Sequence, residues 1–471
     1  MPLTYDVEFW TIRKRKNRPK PFELRWRVGE RAHSKSYKTK TQAEGRQSQL
    51  LAALRNRQQF DEATGLPADE LAALNCPTWF EHATAYALMK WPKAAAKQRA
   101  NIAESLAVVT PVFVSTSHGV PDAKVMRRAL HAWAFRAVRT PDGELVSRTA
   151  AETPPNEITA ALTWLAKHSL KVSEAAQPDH LRKALDALSL KLNGEAAAET
   201  TIHRKRMVLS NAMRFAVERE VLPTNPLARV DWAAPKTEDE VDFRYVPAPA
   251  QARALIQAVK EQGPRGEHLE AFFGCIYYAA MRPSEIAALK LSDCSLPNAG
   301  WGELVLEGSR PEVGSGWTDD GKPYESRGLK RRARRATRTV PIPPVLVEML
   351  RAHAERYGVA SDGRLFRAAQ GGRVRSTEYC EVWDAARKRG LTASEARTPL
   401  ADVPYSLRHA GVSLWIKAGV DPVEVAHRAG HSIAVLYRFY AKLLRGMQFR
   451  ANQLIDEELS GRHEDSAEGP T

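Results

Sequence analysis

Cysteine is scarce in this chain. Cys76, Cys275, Cys294 and Cys380 are the four in 471 residues, and no two of them form a Cys-x-x-Cys pair. That scatter excludes a zinc ribbon and a disulfide framework, and leaves thiols packed as small hydrophobes in a reducing compartment. Long apolar runs are also missing. The longest, Ala271 to Met281, falls well short of the ~20 residues that a bilayer-crossing helix needs. The start, Met-Pro-Leu-Thr-Tyr-Asp, lacks the shape of a signal peptide, so a cytoplasmic location away from membranes is expected. No acidic cluster has metal-ligand character, and neither a metal nor any other cofactor is expected. Acid as a whole is in deficit. Against 70 Lys and Arg stand 55 Asp and Glu, and the net charge of +15 favours a polyanionic partner, nucleic acid first. What is present is apolar material enough, at 43%, for packed cores, in a length that suggests about three domains.

Residues 1 to 65 read as three strands and a helix. Phe22, Leu24, Trp26 and Val28 alternate with Glu23, Arg25 and Arg27, the period of a half-buried strand. Tyr5, Val7 and Phe9 repeat the pattern, and a third strand is expected from Arg31 to Lys38. Thr41 and Glu44 have capping-box spacing ahead of Leu50, Leu51 and Leu54. Beside the strands lies a basic cluster, Arg13, Lys14, Arg15 and Lys16, the candidate DNA contact of this region. Asp61 to Pro77 reads as a linker, and 77 to 232 as helical throughout. Its clearest helix runs from Thr200 to about Glu220 and is stopped by Pro223 and Pro226. A second linker precedes a region from 243 to 457 in which helices alternate with a few strands, Leu304 to Glu307 and Thr339 to Pro343 among them. The tail, 458 to 471, is expected to be disordered.

Chemistry concentrates near the end. Tyr405-Ser-Leu-Arg408-His409 is followed by Ala429-Gly430-His431 and then by Tyr440, while Arg282 stands far upstream in Met-Arg-Pro-Ser-Glu. Two separated arginines, a histidine and a tyrosine suit attack on a phosphodiester by a side-chain hydroxyl. Arginine forks neutralise the non-bridging oxygens, the histidine adds a donor, and the tyrosine attacks. Tyr437 competes with Tyr440, since three residues apart they share a face if the segment is helical. A basic run, Arg327, Lys330, Arg331, Arg332, Arg334, Arg335 and Arg338, separates the two expected strands.

Taken in order, Met-Arg-Pro-Ser-Glu, Ser-Leu-Arg-His, Ala-Gly-His-Ser and the final tyrosine resemble the signature boxes of the tyrosine recombinases, the phage-integrase family. The resemblance implies a mainly α (α+β) protein: an arm-type DNA-binding domain at 1–65, a helical core-binding domain at 77–232, and a mostly helical catalytic domain at 243–457 with a small edge sheet. It implies site-specific DNA cleavage and rejoining through a 3′-phosphotyrosine, integrating or excising a mobile element. Arg282 and Arg408 would be the catalytic arginines, His431 a phosphate donor and Tyr440 the nucleophile, with Glu285 orienting Arg282. Lys330, with Lys322 as rival, would protonate the leaving oxygen. Arg331, Arg332, Arg334 and Arg335 would add DNA contacts. His409 and His427 are left as structural. Tyr405 departs from the family pattern, which has histidine there. It can donate to the phosphate but, with an unperturbed pKa near 10, is a poor base at neutral pH. The implied partners are double-stranded DNA attachment sites and three further copies in a tetramer assembled on DNA, with a directionality factor or a host DNA-bending protein. The rivals are a type IB topoisomerase, which would use the same residues, and a DNA-binding regulator that has lost catalysis.

Overall fold

The computed structural model describes residues 3–233, 241–329, 336–368, 371–445 and 448–460. The chain divides into two compact units, Met1–Lys236 and Thr237–Thr471. Secondary structure is mainly helical, with short antiparallel sheets. Among the described residues no helix is long and apolar enough to cross a membrane.

The first unit begins with a small sheet. Strand Phe22–Val28 pairs antiparallel with Val7–Phe9, Arg13–Lys14 and Arg31–Tyr37. Its alternation does what the sequence predicts: Leu24, Trp26 and Val28 are buried against Leu50 of the helix Lys40–Arg55 and against Phe60. That helix starts earlier than the sequence suggests. Thr39 and Gln42, not Thr41 and Glu44, form the capping box. The 61–77 stretch carries structure of its own, a two-residue strand at Phe60–Asp61 and a helix at Ala68–Asn75. Trp26 donates its indole N–H to Gly65 O at 2.8 Å, which ties this stretch back to the sheet.

Beyond it, helices Trp79–Lys90, Ala96–Val109, Asn156–His168, Pro178–Leu188 and Glu199–Glu218 dominate. The buried His82 ring bonds the carbonyl of Ala212 at 2.8 Å, joining the first of these helices to the last. The region is not helical throughout. Ala137–Arg139 and Leu145–Ser147 pair as a hairpin, a strand run too short to register as a period in the sequence.

In the second unit, helix Pro264–Tyr278 runs through the core, its Phe272, Phe273 and Ile276 buried with Trp383, Leu407 and Val412. Helix Ser406–Lys417 packs closely against it. Gly411 permits this: a Cβ there would run into the carbonyl oxygen of Tyr277. The edge sheet has the order Arg338–Ile342, Gly302–Leu306, Cys294–Ser295, all antiparallel. The excursion beyond it forms a short ribbon, Gly308–Ser309 with Arg327–Gly328.

Candidate active site

Four loop and helix ends of the second unit meet at the turn around Gly430. Helix Pro422–Ala429 is capped at its start by Asp421, which accepts from the N–H groups of Val423 and Glu424. It stops at Gly430 in the left-handed region, φ +62°. A Cβ at 430 would run into Nη1 of Arg338, so any other residue would be strained at this φ and would displace that guanidinium. The tight stop sets His431 at the head of the next turn and leaves the carbonyls of Ala429 and Gly430 pointing at arginines. Arg408 donates to Ala429 O, and Arg282 Nη2 donates to Gly430 O at 3.2 Å.

Arg282 precedes the short helix Pro283–Ile286 and is held from below by Glu285. One carboxylate serves two arginines. Arg282 Nη1 lies 2.9 Å from Glu285 Oε1, and the Arg282 backbone N–H lies 2.9 Å from Oε2. Arg338 reaches both oxygens, at 3.2 and 2.8 Å. Burial pushes the Glu285 carboxyl up, but Arg338, then Arg282 and Arg408, outweigh it and bring its pKa down to about 2. Arg338 was grouped in the sequence with the charges of a basic excursion. It is instead a strand residue with a buried side chain, and it holds the base of the site.

Arg408 is buried, 1% exposed, and its Nη2 donates to His431 Nε2 at 2.9 Å. With Nε2 accepting, the His431 proton sits on Nδ1. Burial first, then Arg408 and Arg282, lower the His431 pKa to about 3, so the ring is neutral. Two donors are left over: Arg408 Nη1 and His431 Nδ1 are buried and have no hydrogen-bond partner among the described residues. An unpaired buried guanidinium edge costs free energy unless an anion completes it.

Tyr440 lies in the helix Ile433–Arg445 but off helical geometry, at φ −118° and ψ 19°. It is 1% exposed, and Tyr437 is 52% exposed. The two tyrosines therefore differ in burial, Tyr440 inside and Tyr437 at the surface. The His431 and Tyr440 rings lie 6.4 Å apart, centroid to centroid. Burial raises the phenol pKa well above its usual value despite Arg408. Its hydroxyl is not alone: His409 Nδ1 lies 2.8 Å from Tyr440 Oη. His409, read from the sequence as structural, is thus part of the site. The only signal was its place one residue after Arg408.

Tyr405 sits at the start of the same helix, its ring 5.8 Å from the Arg408 guanidinium carbon and 5.3 Å from the His409 ring. Lys330, Arg331, Arg332, Arg334 and Arg335 lie outside the described residues. Lys322 is described; it pairs with Asp320 at 3.2 Å on the surface. Among the described residues no group of His, Cys, Asp and Glu is arranged to hold a metal ion. In the first unit, Arg13 and Arg15 both pair with the buried carboxylate of Glu23, at 2.6 and 2.7 Å, and Lys14 lies over the Phe22 ring.

No family model matches the chain. Curated relatives do. A tyrosine recombinase XerC-like protein of Caldanaerobacter subterraneus subsp. tengcongensis is 22% identical over 275 residues, which are 57% of this chain and 68% of the relative. An integrase of Streptomyces ambofaciens is 29% identical over 210 residues, 42% of this chain and 48% of the relative. By these names the chain is similar to tyrosine recombinases and integrases. It spans about half the length of the Streptomyces integrase. Among solved structures, the Tn1549 transposon integrase in complex with circular-intermediate DNA is 16% identical, with a TM-score of 0.48 over 64% of this chain and 96% of that one. The XerH recombinase bound to its difH substrate, in a post-cleavage complex, is 11% identical with a TM-score of 0.42, over 76% of this chain and 96% of that one.

Proposed function

We propose that this recombinase cleaves and rejoins double-stranded DNA through a 3′-phosphotyrosine on Tyr440, integrating or excising a mobile element. The observation that carries the reading is the pair of leftover buried donors, Arg408 Nη1 and His431 Nδ1, beside a buried tyrosine hydroxyl. A scissile phosphate would take up both. Arg282 would bind the same phosphate from the other side of the Gly430 turn, held by Glu285.

The chemistry then follows from the groups present. The Tyr440 oxygen attacks phosphorus in line. The P–Oη bond forms, the P–O5′ bond breaks, and the leaving oxygen takes a proton from a lysine, Lys330 or Lys322. Charge growing on the non-bridging oxygens is met by Arg282, Arg408 and His431. Loss of one such fixed donor costs on the order of 3 kcal/mol in barrier. The ester keeps the bond energy, so a 5′ hydroxyl of the partner strand reverses the step without nucleotide. Tyr405 is placed to touch Arg408 and His409 and serves the phosphate as a donor. The domains at 1–65, 77–232 and 243–457 divide the work into arm binding, core binding and catalysis, and a homo-tetramer on DNA brings two sites together. Lys14 and Lys16 are the arm residues best able to meet phosphate, because Glu23 already engages Arg13 and Arg15. The test is Tyr440→Phe against Tyr437→Phe on a cleavable duplex. The first should bind DNA and form no covalent adduct, and the second should react normally. A dead Tyr437→Phe with an active Tyr440→Phe overturns the assignment.

A further inference from the structure

We propose that His409 is a catalytic residue, the proton acceptor for Tyr440 during attack on the phosphodiester. This rests on the phosphotyrosine reading above. The geometry is specific. Of the described groups, His409 Nδ1 is the one within hydrogen-bonding distance of the Tyr440 hydroxyl, at 2.8 Å. Nucleophile and base must meet at 2.6–3.2 Å before pKa matters.

The helix Ser406–Lys417 fixes both His409 and Arg408, so one rigid element carries the proton acceptor and a phosphate donor. The groups facing His409 are Tyr405 and Arg408 on its own helix, Tyr440 from the last helix of the site, and His431 from the Gly430 turn. None is a carboxylate. Burial, then Arg408, lower the His409 pKa to about 4, which keeps the imidazole neutral and its Nδ1 lone pair free to accept. A phosphate bound between Arg408 and His431 would offset the arginine's charge and make His409 a stronger base when it is needed.

The proton balance closes. As the Oη–P bond forms, the phenolic proton passes to Nδ1, giving an imidazolium. The leaving 5′ oxygen takes its proton separately, from the lysine acid. In rejoining, the 5′ hydroxyl attacks and gives its proton back to the lysine, the P–Oη bond breaks, and the imidazolium returns its proton to Tyr440.

The test uses the full chain and a nicked duplex recovered from a random-sequence library by covalent capture with the wild type. His409→Asn keeps an acceptor near the Nδ1 position but takes up no proton. Single-turnover adduct formation should slow by about 100-fold or more, with the melting temperature unchanged. His409→Gln replaces it if the first variant melts early. A duplex with sulfur in place of the bridging 5′ oxygen needs no proton on its leaving group, and it should not restore the variant. A variant that reacts at the wild-type rate overturns the proposal, and so does full rescue by the 5′ sulfur. If the wild type captures no DNA, the phosphotyrosine reading fails and this proposal with it. If the wild type reacts and the variant keeps pace, the proposal alone fails.

Discussion

Replacing Glu285 by glutamine should unfasten the base of the site. The buried carboxylate accepts from the Arg282 side chain and backbone and from both terminal nitrogens of Arg338. An amide of the same shape turns one acceptor into a donor aimed at a guanidinium and leaves two arginines facing each other. Removing one partner of a buried pair typically costs 3–5 kcal/mol. The depressed pKa of Glu285 points the same way. Its pKa falls from 4.5 to about 2 on folding, which corresponds to roughly 3 kcal/mol. The sign is fixed: a carboxyl depressed in the folded state stabilises fully above its unfolded pKa, and that stability is lost as pH falls from about 4.5 towards 2. Native-state hydrogen exchange across residues 241–445, read peptide by peptide, isolates the second unit from the first. Glu285→Gln should lower its opening free energy by about 3 kcal/mol at pH 7. The gap from wild type should close as pH drops below 4.5, because the unfolded wild type then takes up a proton that the folded state, with its Glu285 pKa near 2, does not. A loss under about 1 kcal/mol at pH 7, or a gap that does not narrow in acid, would refute the account of Glu285 as the shared anchor.

Other outcomes follow from the same geometry. Arg282→Lys and Arg408→Lys should each cut cleavage by 100-fold or more, on the order of one lost fixed donor, since lysine keeps the charge but lacks the planar fork; near-normal single-turnover rates would make either arginine structural. Cleavage should persist in EDTA and without nucleotide, and a strict need for Mg²⁺ would remove the phosphotyrosine mechanism. On the N-terminal sheet, Lys14→Ala with Lys16→Ala should flatten the slope of log affinity against log salt by about 0.9 per lysine; an unchanged slope would mean that these charges only face solvent.

The separated boxes were legible because each couples a chemistry-bearing side chain to a local structural signal. Gly430 follows a helix with an Asp421 cap and marks a left-handed stop, and that stop places His431. The central strand of the N-terminal sheet was legible from its alternation alone. What the sequence hid were contacts between distant segments. Arg338 meets Glu285 across 53 positions, and nothing local distinguishes it from its basic neighbours. His409 meets Tyr440 across 31. Tyr437 and Tyr440 share helical spacing, and their opposite burial, 52% and 1% exposed, was not legible from it. The capping box is formed by Thr39 and Gln42, two residues before the Thr41 and Glu44 that the sequence suggests.

The central claim is that Tyr440 becomes covalently joined to a 3′ phosphate. Wild-type protein incubated with nicked duplex, denatured, digested and sequenced by mass spectrometry should show a nucleotide adduct on the peptide carrying Tyr440, with the DNA attached through its 3′ phosphate. The same treatment of Tyr440→Phe should show none. An adduct on Tyr437 or Tyr405, or DNA attached through its 5′ end, would contradict the account.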